Sequence, residues 1–332
     1  MGLPEIGRIG AVVIGRNEGE RLPHALRSVL EVIPSTVYVD SASSDGSADR
    51  ARSLGIDVVQ LDPAGGLSAA RARNRGAARL LERHPSIELI QFVDGDCVLV
   101  AGWLERAVAE LTADAQLAVV CGRRRERERQ ASIYHRLYDI EWDAPSGLDQ
   151  HCGGDALIRV AAFRSVNGYR AELKAGEEPE LCIRLREAGW RVRRIAADMT
   201  VHDAGHTSFA RWWQRARRAG FAFAQGTALH GGGPLRHWRR ESLSIWFWGL
   251  ALPLFAVTMA MLTNRRSLVV LLAYLILWWR IARRHMTRGL SAEDVALYAT
   301  FCVLGKLPEA LGQLSFQLQR WSPQPRHPQE YR

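Results

Sequence analysis

The chain has few cysteines for its 332 residues, and no two of them form a C-x-x-C pair. The five are Cys97, Cys121, Cys152, Cys182 and Cys302. Their odd number and scattered positions indicate a reducing compartment, and we expect the thiols to be buried fillers. A signal peptide is also missing, because the apolar run at 9–15 is short and charged residues follow it. We therefore expect the main domain to be cytoplasmic.

Two glycine-rich signatures are absent after this first apolar run. No G-x-G-x-x-G follows it, which argues against a dehydrogenase. Residues 15–18 read Gly-Arg-Asn-Glu, which is too short and too acidic for the glycine-rich basic loop of a nucleotidyltransferase. No motif presents basic residues on a folded reading face, so we expect no nucleic-acid partner.

The positive charge is concentrated in the C-terminal third of the chain. The net charge is +9, and residues 235–332 carry 13 Lys+Arg against 5 Asp+Glu. The preceding residues are close to neutral. Because this basic segment also carries apolar runs, we expect anionic lipid rather than nucleic acid as its partner.

Short apolar runs alternate with helical patterns over the first 122 residues. The predicted strands are 9–15, 36–39, 56–61, 89–93 and 117–122, and the predicted helices are 18–32, 48–54, 67–83 and 103–111. This alternation predicts an α/β fold with a mostly parallel sheet and helices on both faces. The seven consecutive charged residues at 123–129 predict a solvated surface segment. Further on, the pattern predicts a helix at 180–188, a strand at 191–201 and a basic, aromatic helix at 209–229.

Two carboxylates, Asp94 and Asp96, end the predicted strand at 89–93 and are separated only by Gly95. A buried strand delivers such residues to the edge of the sheet where ligands bind in open α/β folds. Carboxylates this close repel each other unless a cation lies between them, and Mg²⁺ prefers one or two carboxylates plus phosphate oxygens. The alternative is a solvated turn, for which Asp-Gly is common.

The Gly-Gly-Gly-Pro sequence at 231–234 marks the predicted boundary between a main domain, 1–230, and a C-terminal helical membrane region, 231–332. Residues 243–263 carry no charge and are long enough to cross a bilayer core of roughly 30 Å. The segment 267–283 would span only with arginine snorkelling. More arginines flank the two segments on the outside than lie between them. This distribution predicts a transmembrane hairpin with both ends on the cytoplasmic side. Residues 292–319 read as amphipathic helices on the membrane surface. The alternative is a buried helical bundle of a soluble protein.

Six short motifs follow one another in the first 185 residues. They lie at 12–18, 39–47, 72–76, 93–96, 153–155 with 167–168, and 176–181. Together they resemble the family 2 glycosyltransferases of the GT-A fold, in their membrane-associated bacterial form, over about 9–230. The resemblance implies an inverting transfer of a sugar from a nucleotide-diphosphate donor to an acceptor hydroxyl, with a divalent metal, Mg or Mn.

The resemblance also implies donor-binding residues. They are Asn17, Glu18, Asp40, Asp45, Arg73, Asp94, Asp155 and Arg215. Asp40 would contact the nucleobase or ribose, although it also suits a helix cap. Arg73 would neutralise diphosphate, and Arg71 and Arg75 compete for this role. Arg215 lies in the basic helix that would cover the diphosphate and acceptor or contact the membrane surface.

The metal and the catalytic base also follow from the resemblance. Asp96 is the implied metal ligand, with Asp94 nearer the ribose or the ion's second shell. His202 matches a histidine that some members use as a further ligand, although a lone histidine is more often structural. Glu178 occupies the position where the family usually has an aspartate base, and Glu177 is the alternative.

The acceptor and the cellular location are inferred from the tail. A membrane-attached enzyme suggests a lipid-linked acceptor, or another saccharide, in cell-envelope or exopolysaccharide synthesis. We expect the bacterial inner membrane with the catalytic domain on the cytoplasmic side. A single hairpin argues against a processive synthase with its own channel. A nucleotidyltransferase of similar fold and a catalytically inactive membrane scaffold remain as alternatives.

Overall fold

The computed structural model describes residues 6–205 and 207–321. These residues form two compact units. The first unit contains residues 6–128 and 142–205, and the second contains residues 129–141 and 207–321. The second unit thus includes the basic helix that precedes the predicted domain boundary at 231. That boundary, which rests on the Gly-Gly-Gly-Pro sequence at 231–234, stays a prediction.

The first unit is built on one sheet. Its strands are β1 (Ile9–Gly15), β2 (Thr36–Asp40), β3 (Asp57–Gln60), β4 (Leu89–Asp94), β5 (Cys97–Leu99), β6 (Leu117–Glu126), β7 (Gly147–Leu148), β8 (Ala156–Arg159) and β9 (Arg191–His202). Their order is β3-β2-β1-β4-β8-β6-β9-β5, and β7 pairs with β9. The four strands β3, β2, β1 and β4 are mutually parallel, as is the β6–β9 pair. The pairings of β8, β5 and β7 are antiparallel, so the sheet is mixed.

Helices connect and flank these strands. In the described residues the α-helices are α1 (Arg21–Leu30), α2 (Ser47–Ser53), α3 (Ala69–Arg83), α4 (Trp103–Ala113), α5 (Ile133–Trp142), α6 (Val160–Ser165), α7 (Glu177–Glu187), α8 (Phe209–His230), α9 (Arg239–Trp246), α10 (Leu252–Thr258), α11 (Ala273–Met286), α12 (Ala292–Leu304) and α13 (Lys306–Trp321). Short 3₁₀ helices occur at Ile6–Arg8, Pro63–Gly65 and Arg266–Leu272, and a π-helical turn at Phe247–Ala251. The predicted α/β fold with helices around the sheet is confirmed.

The helix α3 packs directly on the parallel part of the sheet. A Cβ atom at Gly76 would lie 2.3 Å from Val12 Cγ1 and 2.8 Å from Val39 Cγ2, so only glycine allows this approach. The core residues of β1 and β4 are almost completely buried on both faces. This close packing holds Arg73, one turn earlier on α3, beside the carboxyl ends of β1 and β4.

The solvated segment predicted at 123–129 is wrong over its first four residues. Strand β6 continues through Glu126, because β9 runs beside it and pairs Arg124 with Thr200 and Glu126 with His202. Arg123 and Glu126 have partners on β9, Arg124 has carboxylate partners elsewhere in the unit, and Glu126 is buried. Local sequence shows the charges but cannot show these distant partners.

The second unit contains the apolar C-terminal helices. In the described residues, two helices are long and apolar enough to cross a membrane, Arg239–Thr258 and Ala292–Trp321. The first overlaps the predicted span 243–263, whereas the second falls on the predicted surface helices 292–319. The predicted second span, 267–283, divides into a 3₁₀ helix and α11, and Ser267 Oγ donates to Ala256 O at 2.8 Å. The segments therefore fold back on each other, and the spanning hairpin stays a prediction.

Candidate active site

Asp94, at the end of β4, is the centre of an ion-pair network. One carboxylate oxygen accepts from Arg73 Nη2 at 2.8 Å, and the other accepts from Arg124 Nη2 at 2.7 Å. Burial by itself would raise the pKa of Asp94, but the two guanidinium groups outweigh burial and lower it to about 2. Asp94 is therefore a permanent anion held between two arginines.

Arg73 connects this aspartate to the candidate bases on α7. Its Nη1 lies 2.9 Å from Glu177 Oε1 and 3.2 Å from Glu178 Oε1, and the residue is only 2% exposed. The guanidinium group also lies over the ring of Tyr169, 5.5 Å from its centroid. Of the three competing arginines, Arg73 is the one that contacts the predicted site carboxylates.

Glu177 and Glu178 begin α7, directly after Gly176, whose φ of 78° is left-handed. The side chain of Glu177 is 9% exposed and that of Glu178 is 16% exposed. Burial and repulsion by Glu177 raise the pKa of Glu178 to about 7, although Arg73 opposes the shift. A carboxylate with this pKa accepts a proton well at neutral pH, so Glu178 is the better candidate base.

Asp155 and Arg124 extend the ion-pair network around Asp94. Asp155 is fully buried and accepts hydrogen bonds from the Asp94 amide at 2.9 Å, Arg124 Nε at 3.0 Å and Thr200 Oγ1 at 2.6 Å. Burial raises the pKa of Asp155, and Arg124 only partly offsets this effect. Sequence reasoning missed Arg124, since it lies within the charged run. The sequence carried no signal for this role, because the predicted strand ends at 122 and the observed strand continues through Glu126.

Asp96 faces a histidine rather than an arginine. Its Oδ2 lies 3.3 Å from His202 Nε2, and His202 Nδ1 lies 2.8 Å from Glu126 Oε2. Burial would lower the pKa of His202, but the hydrogen bonds to Asp96 and Glu126 raise it to about 9. The rim of an adjacent aromatic ring, Trp142, contacts the imidazole at a centroid distance of 4.7 Å.

The Asp96 and His202 pair fits a divalent ion. Its oxygen and nitrogen are 3.3 Å apart, close to the roughly 3 Å between adjacent ligands of an octahedral ion with bonds of about 2.1 Å. An imidazole with a carboxylate on its other nitrogen is a common metal ligand arrangement. Asp94 fits less well, because arginines engage both of its oxygens.

A second group of possible ligand atoms belongs to Asp94, Cys97 and Asp155, within 4.8 Å of one another. The Cys97 thiol is buried, and its pKa is raised by burial, which disfavours the thiolate that binds metals. Arg124 already neutralises both carboxylates of this group. These contacts make the group a poor site for a hard divalent ion.

The other predicted donor-binding residues at this edge shape the loops after β1 and β2. Asp45 accepts from the Gly19 amide at 2.8 Å and from Ser47 Oγ at 2.6 Å. Asn17 Oδ1 accepts from the Ser44 amide at 2.8 Å. These contacts tie the two loops together. Direct donor contacts for Asn17 and Asp45 stay predictions.

Asp40 and Glu18 lie closer to the acidic centre. Asp40 is fully buried at the end of β2, where its Oδ2 accepts from the Ser43 amide at 2.9 Å. Burial and the charge of Asp96 raise the pKa of Glu18 to about 7, even though Arg21 lies 2.9 Å from its carboxylate. Glu18 is therefore another titratable group on the Asp96 side.

Arg215 lies on α8 in the second unit. Its Nη1 is 2.5 Å from Glu141 Oε2, and its guanidinium group lies 4.5 Å from the centroid of the Tyr138 ring. Within this unit Arg215 therefore joins α8 to α5. Its predicted role in donor binding stays a prediction.

The mixed sheet and its flanking helices form a fold of the GT-A type. Residues 11–166, just under half of the chain, match the family model described as "Glycosyl transferase family 2". The suspected resemblance is thereby confirmed.

Relatives and a solved structure agree with this assignment. The pre-mycofactocin glycosyltransferases of two Mycobacterium tuberculosis strains, CDC 1551 / Oshkosh and ATCC 25618 / H37Rv, are 28% identical to the chain over 217 residues. The match covers 59% of this chain, which spans less than half, 44%, of the curated relatives. The mannosyltransferase PcManGT of Pyrobaculum calidifontis, solved with GDP-Man and Mn²⁺, has a TM-score of 0.60 at 19% identity, covering 92% of this chain and 87% of that one. This second likeness concerns the fold.

Proposed function

We propose that the chain is an inverting glycosyltransferase that moves a sugar from a nucleotide-diphosphate donor to an acceptor hydroxyl. The observation that carries the proposal is the chain of contacts from Asp94 through Arg73 to Glu178, whose pKa is about 7. It links the acidic edge of the sheet to a general base. The fold likeness to a mannosyltransferase solved with GDP-Man and Mn²⁺ supports the same type of donor and ion.

The residues have distinct proposed roles. Glu178 removes the proton from the acceptor hydroxyl while the hydroxyl oxygen attacks the anomeric carbon of the donor sugar. The bond from this carbon to the nucleoside diphosphate breaks on the opposite face. Asp40 contacts the nucleobase or ribose. Asp96 and His202 hold a divalent ion, Mg or Mn, which supplies Lewis-acid stabilisation of the departing diphosphate. Arg73 keeps Glu178 oriented.

A donor screen tests this proposal. The purified full chain is incubated with Mn²⁺ and a panel of nucleotide sugars, and nucleoside diphosphate release is measured. We expect Asp96→Ala and Glu178→Gln to reduce turnover by about 10²–10⁴-fold, because each removes a group that acts in the transition state. Glu187→Gln, at the exposed end of the same helix α7, is the matched control and should retain full activity.

Four outcomes would contradict the proposal. Unchanged release by both site variants would reject the site residues. A product with the donor's anomeric configuration, measured by NMR, would reject inversion. Pyrophosphate release from nucleoside triphosphates, without turnover of any nucleotide sugar, would favour the nucleotidyltransferase alternative, and no turnover of either kind would favour an inactive scaffold.

We also propose that the second unit attaches the enzyme to the cytoplasmic face of the bacterial inner membrane, where it meets a lipid-linked acceptor for envelope or exopolysaccharide synthesis. Large apolar side chains are strongly exposed between α10 and the 3₁₀ helix that follows it, with Met261 at 93% and Leu262 at 79%. Arg265 and Arg266 follow at once, and this combination suits a lipid surface. Carbonate extraction of membranes tests whether this attachment includes the spanning hairpin, because carbonate also releases a tail that only lies on the membrane surface. A protein found entirely in the supernatant would reject the spanning hairpin.

A further inference from the structure

Glu126 is a buried carboxylate that the proposed mechanism does not use. Its side chain is 1% exposed, although it lies in the most charged stretch of the sequence. A carboxylate removed from water costs several kcal/mol unless partners compensate it. A glutamate at this position therefore needs a reason beyond the charge of its neighbours.

The sheet places Glu126 on one side of His202 and Asp96 on the other. Strand β9 lies between β6 and β5, so that His202 pairs with Glu126 across one edge and with Cys97 across the other. The Asp203 amide donates to Asp96 O at 3.0 Å, which fixes the backbone around Asp96. The three side chains therefore follow one another across neighbouring strands.

The contacts among Glu126, His202 and Asp96 determine which imidazole nitrogen faces which carboxylate. Glu126 Oε2 lies 2.8 Å from His202 Nδ1, and His202 Nε2 lies 3.3 Å from Asp96 Oδ2. A carboxylate that accepts the Nδ1 proton leaves the lone pair of Nε2 for a ligand on the Asp96 side. The edge contact with Trp142 restricts rotation of the ring.

We propose that Glu126 is a positioning residue that fixes the tautomer and orientation of His202, so that Nε2 binds the divalent ion together with Asp96. The inference rests on the metal site of the proposed function. It adds a carboxylate that never touches the ion, the donor or the acceptor. The alternative to this positioning role is that Glu126 only stabilises the loop after β9, because its Oε1 also accepts a hydrogen bond from the Ala204 amide at 3.2 Å.

Glu126→Gln distinguishes these explanations. Glutamine has the same shape and retains an oxygen for the Ala204 amide, but it loses the negative charge and the second acceptor that face the imidazole. Glu128→Gln is the matched control, since Glu128 lies two residues later in the same charged run and is exposed. Far-UV circular dichroism and the melting temperature show whether each variant is folded.

The readout is Mn²⁺ binding, which needs no turnover. The full chain in detergent micelles is titrated with MnCl₂ in the presence of UDP or of GDP, and free Mn²⁺ is measured by its EPR signal. We expect the Kd for Mn²⁺ to rise about 10–100-fold in Glu126→Gln, as is typical when a histidine ligand loses its carboxylate partner. Glu128→Gln should bind as the wild type does. Pulsed EPR should show ¹⁴N coupling from a ligated imidazole in the wild type, weaker coupling in Glu126→Gln, and none in His202→Gln.

Two results would overturn the inference, and they differ in what else they reject. If the wild type binds Mn²⁺ with ¹⁴N coupling and Glu126→Gln matches it in Kd and coupling, the positioning role is wrong and the metal site stands. If the wild type binds no Mn²⁺ with either nucleotide, or binds it without ¹⁴N coupling, the proposed His202 ligation fails and the inference fails with it.

Discussion

Replacing Glu177 by glutamine should move the acid limb of the pH–rate profile without abolishing activity. Glu177 and Glu178 share Arg73 Nη1 at 2.9 and 3.2 Å, so the bonded carboxylate oxygens are at most about 6 Å apart. Two like charges at this distance repel by about 3 kcal/mol at an effective dielectric constant of about 20, which corresponds to about two pKa units. We therefore expect the pKa of Glu178 to fall from about 7 to between about 5 and 6 in the variant.

The sign of the effect on rate follows from the role of a base. Glu178 acts only when it is deprotonated, so kcat/KM for the acceptor should rise with pH in the wild type, reach half of its plateau at about pH 7 and level off above about pH 8. At pH 6 the wild type should retain about a tenth of its plateau rate, whereas the variant should retain more than half of its own plateau. Initial rates of nucleoside diphosphate release between pH 5 and 9 measure both profiles.

The control for this experiment is Glu187→Gln, which leaves the first turn of α7 intact and should reproduce the wild-type profile. Two results would refute the reasoning. Loss of activity at every pH in Glu177→Gln, with activity retained in Glu178→Gln, would make Glu177 the base. An acid limb that stays near pH 7 in Glu177→Gln would show that another group controls it.

Two further substitutions test the packing of charge in each unit. Arg124→Ala leaves the buried Asp155 without its guanidinium partner, whereas Asp94 keeps Arg73, so we expect the free energy of unfolding in urea to fall by about 3–5 kcal/mol. The loss should be less than about 1 kcal/mol for the exposed pair broken by Arg127→Ala. Equal losses would contradict the network. Asp294→Asn breaks the contact with Arg136, 2.9 Å away. Burial opposes ionisation of Asp294, but its arginine partners lower its pKa, so its stabilisation is present above pH 4 and is lost as pH falls through the lowered pKa. The difference between the melting temperatures of variant and wild type should therefore be full at pH 7 and shrink as the pH falls below about 4, and a constant difference would refute this.

Much of the sheet could be predicted from sequence, because the information is local. An apolar run that ends in a polar turn, such as the one before Asp94, specifies both a buried strand and its position at the edge of the sheet. Strands β1, β2 and β4 lie within one residue of their predicted ends. Strand β5 was missed because three residues are too short to show a period, and α5 was missed because the pattern around it is irregular.

In the candidate site, too, residues that belong to local motifs could be predicted, and residues that depend on distant partners could not. Asp96 and Glu178 were predicted from motifs, whereas Arg124 and Glu126 were hidden in a charged run that reads as surface. Their burial depends on partners that lie tens of residues away, such as Asp155 and His202. The choice between Glu177 and Glu178 was equally open, because it rests on relative exposure and on a shared arginine rather than on residue type.

The two aspartates of the Asp-Gly-Asp sequence can be told apart by the cations that face them. Asp94 is held by Arg73 and Arg124, and an arginine side chain does not lose its proton in a protein. A metal ion at Asp94 would have to displace a guanidinium group that is itself buried. Asp96 faces His202, and an imidazole can exchange its Nε2 proton for a metal ion without leaving its position. A cation can therefore exchange at Asp96 with little structural change, and this supports the proposal that the ion binds at Asp96 while Asp94 stays held by its arginines.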